Sequence, residues 1–475
     1  MIALTLGEIT QIVGGELHDA DAAVVVTGNV EYDSRAVGTG DLFLALPGER
    51  VDGHEFARAA YAAGAVAVLG TRPVEGPRIE VADGIAALTA LATAVAGRLP
   101  AVIVGVTGSS GKTSTKDLLR QVLERIGPTI APSGSMNNEL GHPYTVLRAD
   151  DQTRFLVLEM GARGVGHIRH LAEIAPPRIG VVLNVGSAHL GKFGSREAIA
   201  TAKGELVEAL PSEGTAVLNA DDPLVAAMAS RTAARIVTFG ESATADVRAS
   251  DVVLDELGRP TFTLHIGAES ASVRMRLVGG HHVSNALAAA AVAHVVGSAV
   301  TDIADALSDA VATSRWRMET TERGDGVLVI NDAYNANPES MRAALKALAS
   351  VARARRAAGG RSFAVLGEMA ELGDTAPQEH DALGRLAVRL DISQVIAVGE
   401  AAKPIQHGAA LEGSWDGEAR WVPDAEAAIS LLRAELAPGD VVLVKASRAA
   451  SLERVAIAVA EDAAEDSSGG GRQHA

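Results

Sequence analysis

The stretch Val104-Gly105-Val106-Thr107-Gly108-Ser109-Ser110-Gly111-Lys112-Thr113-Ser114 links an apolar run to an amphipathic one. The apolar run, Ala101 to Val106, reads as a buried strand. Lys116 to Ile126 reads as a helix with Leu118, Leu119, Val122, Leu123 and Ile126 on one face. Strand, glycine loop and helix, in that order, form a cradle for phosphate. The glycines let backbone N–H groups approach phosphate oxygens. The helix start adds its free N–H groups and the positive end of its dipole. Lys112 is placed to reach terminal phosphates, and Thr113 to offer its hydroxyl to Mg²⁺. Gly108, Ser109, Ser110, Gly111 and Ser114 complete the candidate ATP-binding loop. The spacing departs from the common form, which needs a glycine at 106; this chain has Val106 there and Gly105 before it.

A chain of 475 residues has room for about three domains of ~150 residues each. Its net charge of −17 argues against a general binder of nucleic acid or anionic membrane. An anionic ligand must then be held by local devices: glycine loops, helix starts and a few Lys or Arg. Cysteine is absent, which removes disulfides, a thiolate nucleophile and Cys-based zinc sites, and fits a reducing cytoplasm. Met1-Ile2-Ala3-Leu4-Thr5 does not start a signal-peptide pattern. No apolar run approaches ~18 residues, so membrane insertion is not expected. Ala286 to Val296, broken only by His294, reads as a buried helix.

The expected fold class is α/β in three domains. Residues 1–99 form a small α/β unit. Its elements are a capped helix Leu6 to Val13, strands Val24 to Val30, Asp41 to Leu46 and Ala65 to Leu69, and helices Gly53 to Ala63 and Gly84 to Arg98. Residues 100–313 carry strands at Ala101–Val106, Phe155–Glu159, Ile179–Val185 and Thr215–Leu218, separated by helices such as Arg196 to Leu210. That alternation implies a mostly parallel sheet. Alternating apolar residues within Val247 to Leu277 predict antiparallel hairpins at its edge. Residues 314–462 alternate strands near Val327–Asn331, Ser362–Leu366, Gln394–Val398 and Asp440–Val444 with helices, in a Rossmann-like layout. Residues 463–475 read as a disordered tail.

Sites in such sheets gather at the carboxyl ends of strands. Glu159 ends one strand and is a natural Mg²⁺ ligand; the other reading is a capping or ion-paired Glu. His189 follows a strand and reads as a ligand for a second metal or phosphate, or as structural. Lys203, taken alone, reads as a solvated lysine. Asn137, Asn138 and Glu139 offer donors and acceptors to a polar substrate, or form an ordinary turn.

Together these pieces resemble the Mur ligase superfamily, which makes amide bonds in cell-wall precursors. Its phosphate loop, G-x-x-G-x-x-G-K-T/S, matches Gly105 to Thr113 and accounts for the spacing. Four further stretches carry the resemblance: Asn137-Asn138-Glu139-x-Gly141-x-Pro143, Asn331 to Met341, Leu366 to Gly373 with His380 after it, and Val444-Lys445-Ala446-Ser447-Arg448. Their order points to the branch that joins D-alanyl-D-alanine to UDP-N-acetylmuramoyl-tripeptide with ATP and Mg²⁺.

The resemblance implies roles. Lys112 and Thr113 hold phosphates and Mg²⁺; Glu159 and His189 ligate metals; Lys203 does so once carbamylated. His281 and Asn285 lie near the adenine, although locally they also read as a capped helix start. Arg317, Asp332 and Asn335 close over the nucleotide. Ser34 and Arg35 dock the UDP pyrophosphate. Lys445, Ser447 and Arg448 face the dipeptide. Ala446 and His282 depart from the family pattern, which has Gly and Asn there. A cytoplasmic monomer is expected. The rivals are a sibling ligase adding one amino acid and a nucleotide-driven switch without ligase chemistry.

Overall fold

The computed structural model describes residues 1–48, 51–187, 190–413 and 418–466. Three sheets organise the chain. The first has five strands in the order Glu16–His18, Arg78–Glu80, Ala67–Gly70, Leu42–Ala45 and Val30–Glu31, parallel except for the first. A two-stranded antiparallel ribbon pairs Leu4–Thr5 with Val25–Val26. The stretch expected as one strand, Val24 to Val30, is therefore divided. The Asp41 carboxylate causes the break by accepting the N–H of Asn29 at 2.6 Å and of Gly38 at 2.7 Å. A Cβ at Gly28 would lie 2.1 Å from that carboxylate. The helix expected over Gly53 to Ala63 begins as a 3₁₀ turn, Gly53–Phe56, capped by Asp52.

The central sheet has nine strands. Thr129–Ile130, Phe155–Glu159, Val102–Thr107, Ile179–Val182, Thr215–Asn219, Arg235–Gly240 and Val247–Leu254 run parallel. Pro260–Ile266 and Glu269–Arg274 complete an antiparallel edge, as the alternation predicts. The loop helix spans Lys112–Glu124, starting four residues before the expected Lys116, because Gly111 takes a left-handed φ of 81° and turns the chain straight into it. The third sheet runs Glu319–Glu322, Leu328–Asn331, Val441–Lys445, Ser362–Leu366, Gln394–Val398, Ala419–Val422, all parallel but the first. The last helix, Glu453–Asp466, extends into the expected tail; residues 467–475 lie outside the described ones. Among the described residues no helix is long and apolar enough to cross a membrane.

Packing joins the units. Leu88, Leu91 and Val95 of helix Gly84–Ala96 are fully buried in one cluster with Val146 and Ile168 of the central unit. Tyr144 donates to Glu31 Oε2 at 2.8 Å, and Arg148 pairs with Glu31 Oε1 at 2.6 Å. On the other side, the buried Lys116–Asp117 pair grips the start of the linker. Asp117 accepts the Ser314 N–H at 3.2 Å, and Lys116 donates to the Pro132 carbonyl at 2.8 Å. The apolar face expected on this helix is present, with Leu118, Leu119, Val122 and Leu123 buried; the buried pair flanks it, and the helix ends at Glu124, before Ile126.

His142, on the short helix Gly141–Val146, is fully buried, and burial pushes its pKa down from 6.5 to about 4. Between those values the unfolded chain binds a proton that the native chain refuses, so acid favours unfolding. Thermal midpoints should fall as pH drops from 6.5 toward 4. The fall should be shallower in His142→Leu; equal slopes in a pH series of melting curves would refute the assignment.

Candidate active site

The phosphate loop is pinned from the neighbouring strand. The ladder of Ile179–Val182 ends early, and the chain peels away so that Asn184 Oδ1 accepts the N–H groups of Ser109 at 3.0 Å and Ser110 at 2.9 Å. Gly186 N–H donates to Ser109 Oγ at 2.8 Å. Lys112 Nζ curls back to the Gly108 carbonyl at 2.9 Å. Burial lowers the Lys112 pKa, an effect that the nearby Glu159 carboxylate opposes.

Glu159, 1% exposed, is the hub. Its Oε2 accepts the Thr113 hydroxyl at 3.0 Å. Its Oε1 accepts the Ser135 hydroxyl at 2.9 Å and Asn137 Nδ2 at 2.7 Å. The Glu159 carboxylate and Thr113 hydroxyl are hard oxygen donors side by side. Lys203 lies on the helix Arg196–Glu208 and is buried rather than solvated. It has no hydrogen-bond or ion-pair partner among the described residues, and burial, with Lys112 nearby, lowers its pKa well below the ordinary value. His189 lies outside the described residues. Among the described residues no three His, Cys, Asp or Glu side chains form a metal-holding group.

Lys112, Thr113, Glu159 and Lys203 line one cavity of about 490 Å³ with Gly108, Ser109, Ser110, Gly111, Ser114, Asn137, Asn138 and Glu139. Arg317, Asn335, Ser447 and Arg448 line the same cavity from the third unit. Arg317 Nη2 donates to Thr113 Oγ1 at 3.3 Å, and its guanidinium lies 4.2 Å from the Tyr334 ring centroid. Asn337 Nδ2 donates to the Ser109 carbonyl at 3.2 Å. Glu339 Oε1 accepts from Ser187 N–H at 2.8 Å and Ser187 Oγ at 2.9 Å. The third unit is closed on the loop.

Other expected residues stand elsewhere. Lys445 does not face the cavity; it is buried, its ammonium 2.6 Å from Asp332 Oδ2 and 2.8 Å from the Asn335 carbonyl. Asp332 also accepts the Met318 N–H at 3.1 Å, so this pair braces the strand end instead of lining the cavity. Asn285 lies behind the loop and accepts from Thr115 Oγ1 at 3.3 Å; a Cβ at Gly111 would meet Asn285 Oδ1 at 2.6 Å. His281 precedes the helix His282–Val295 and is half-buried, desolvation of its ring lowering its pKa to about 4. Ser34 and Arg35 lie in the first unit away from the cavity, with the Arg35 fork on Asp33 at 2.9 and 2.7 Å.

Sequence reading passed over Asn184, Tyr334, Asn337 and Glu339. Asn184 left a signal, a polar residue ending an apolar run. The others sit inside the Asn331 to Met341 stretch, where Asn337 before Pro338 marks a helix start.

The chain matches three family models: "Mur ligase middle domain" over residues 106–293, "Mur ligase, glutamate ligase domain" over 316–448 and "Mur ligase family, catalytic domain" over 27–95. It is 56% identical to the UDP-N-acetylmuramoyl-tripeptide–D-alanyl-D-alanine ligase of Mycobacterium tuberculosis, covering 97% of this chain and 98% of that one. It is 35% identical to the ligase of that name from Escherichia coli, over 97% and 99%. Among solved structures, MurF from Acinetobacter baumannii superposes with a TM-score of 0.84 at 32% identity, covering 97% and 99%. MurF from Thermotoga maritima in complex with ADP gives 0.78 at 31%, covering 93% and 99%.

Replacing Asn184 by Ala leaves the Ser110 N–H without its acceptor, at about 1–3 kcal/mol, while the Ser109 N–H keeps the residue 184 backbone carbonyl at 3.1 Å. Asn184→Ala should weaken ATP binding about tenfold, roughly 1.4 kcal/mol, in calorimetric titration; unaltered affinity would show that the loop holds its shape without this side chain. Fold, cavity and full-length similarity agree: the chain belongs to the Mur ligase family, on its UDP-N-acetylmuramoyl-tripeptide–D-alanyl-D-alanine ligase branch.

Proposed function

We propose that this chain uses ATP to join D-alanyl-D-alanine to UDP-N-acetylmuramoyl-tripeptide, in the cytoplasmic stage of peptidoglycan synthesis. The observation that carries the reading is the shared cavity. It unites a phosphate loop, a buried carboxylate–hydroxyl pair and a lysine without a partner among the described residues on one wall with Arg317, Ser447 and Arg448 on the other. We assign residues 1–99 to the UDP-sugar end, 100–313 to ATP and 314–462 to the dipeptide.

A terminal carboxylate oxygen of the tripeptide attacks the γ-phosphorus of ATP, and ADP leaves. The resulting acyl phosphate has a far better leaving group than hydroxide. The dipeptide amine attacks the acyl carbon, and the tetrahedral intermediate expels phosphate to leave the amide. No covalent nucleophile from the protein is needed, consistent with a chain free of cysteine. The protein's task is to bring two anions together, and Lys112, Arg317 and the loop N–H groups offset their repulsion.

Thr113 and Glu159 suit Mg²⁺, which binds through one or two carboxylates and substrate phosphates while keeping waters. When bound, the ion neutralises charge on the phosphate being transferred. A second ion would be held by His189 and by Lys203 as its carbamate. The lowered pKa of Lys203 supports this, because carbamylation needs an unprotonated amine. Its burial without a partner among the described residues leaves a carbamate free to take a cation. We read the working form as a monomer.

Phosphate release from ATP and Mg²⁺ should require both UDP-N-acetylmuramoyl-tripeptide and D-alanyl-D-alanine and yield a pentapeptide precursor by mass. Release with a shorter precursor and a single amino acid would replace this reading with a sibling specificity, and ATP binding with no amine-dependent turnover would leave a switch. Lys112→Ala should abolish ligation. Arg448→Ala should mainly raise KM for the dipeptide, and an unchanged dipeptide KM would remove Arg448 from that end.

A further inference from the structure

We propose that Trp316 is a positioning residue: its indole is the platform that holds the Arg448 guanidinium ready for the carboxylate of the incoming dipeptide. The inference rests on the reading of Arg448 given above.

The linker entering the third unit is strained where it meets the site. Trp316 has φ 58° and Met318 φ 51°, in the left-handed region that side chains of this size avoid. Such conformations persist where surrounding contacts over-determine them, often at functional sites. Here the contacts are visible. Trp316 N–H donates to Glu319 Oε2 at 3.0 Å, and its carbonyl accepts the Tyr334 N–H at 3.3 Å. The Arg448 guanidinium carbon lies 4.5 Å from the Trp316 ring centroid, within reach of a cation–π contact.

Arg448 needs such a support. Its side chain is 53% exposed, and its ion pair is with Glu453 at 2.6 Å through Nη1. An arginine held by Glu453 alone can swing about that one edge. A ring beneath its face fixes the plane and leaves other N–H donors toward the cavity that Arg448 lines. Between the two left-handed residues lies Arg317, which touches Thr113. Adjacent residues of one strained segment thus serve both ends of the site, the guanidinium toward the phosphate loop and the indole beneath Arg448.

The test is steady-state kinetics on the full chain with ATP, tripeptide precursor and D-alanyl-D-alanine. Trp316→Leu, which removes the π face, should raise dipeptide KM about five- to tenfold while leaving KM for ATP unchanged. Trp316→Phe should restore most of the affinity. In an Arg448→Ala background Trp316→Leu should add nothing. Should Trp316→Leu fail to fold, Trp316→Gly, which the left-handed backbone favours, takes its place. A normal dipeptide KM in Trp316→Leu overturns the inference, as does the same rise in the Arg448→Ala background, or a joint rise in both KM values. If Arg448→Ala leaves the dipeptide KM untouched, the reading of Arg448 fails first and this inference falls with it.

Discussion

One buried carboxylate holds the centre of this protein together. Glu159 ends a central strand and accepts hydrogen bonds from Thr113 on the loop helix and from Ser135 and Asn137 on the following loop. Removing a charged acceptor from buried donors costs about 1–3 kcal/mol per donor, more for charged groups. Three donors make the local geometry stiff. The arrangement also answers the question of why a charge is buried there at all: desolvation is offset by hydrogen bonds and by neighbouring cations, with Lys112 and Arg317 converging on the same space.

Around that centre the third unit is tied to the loop by polar side chains, while Val278 of the central unit joins its hydrophobic cluster further out. Arg317, Asn337 and Glu339 reach across to Thr113, Ser109 and Ser187. Polar contacts of this kind can break and re-form, which suits a unit that must admit and release substrates. The first unit differs. Its helix Gly84–Ala96 shares a continuous hydrophobic cluster with the central sheet. The first junction is therefore mainly apolar, and the third unit meets the phosphate loop through polar contacts.

Much of the candidate site was legible as sequence because strand ends carry it. Glu159 ends an apolar run, and the glycine loop sits between a strand and a helix. Lys203 was not legible alone: its helix gives it no distinguishing pattern, and only packing shows that it is buried without a partner among the described residues. Lys445 shows the opposite failure. It ends a strand and so looked site-facing, yet Asp332 and the Asn335 carbonyl capture its ammonium inside the third unit. Asn184 was overlooked because its role depends on a loop 75 residues away.

The features that residues dictate locally are periodic ones: three α/β units, the parallel runs, the hairpin edge and the loop chemistry. These follow from apolar spacing, glycine positions and capping residues, which act within a few residues of each other. Tertiary structure decided where the early strand breaks around Asp41, which lysines face the cavity, and how Trp316 and Arg317 meet opposite ends of the site. Each depends on a partner far along the chain, and hydrogen bonds and ring contacts formed across such distances leave no periodic trace in the residues that make them.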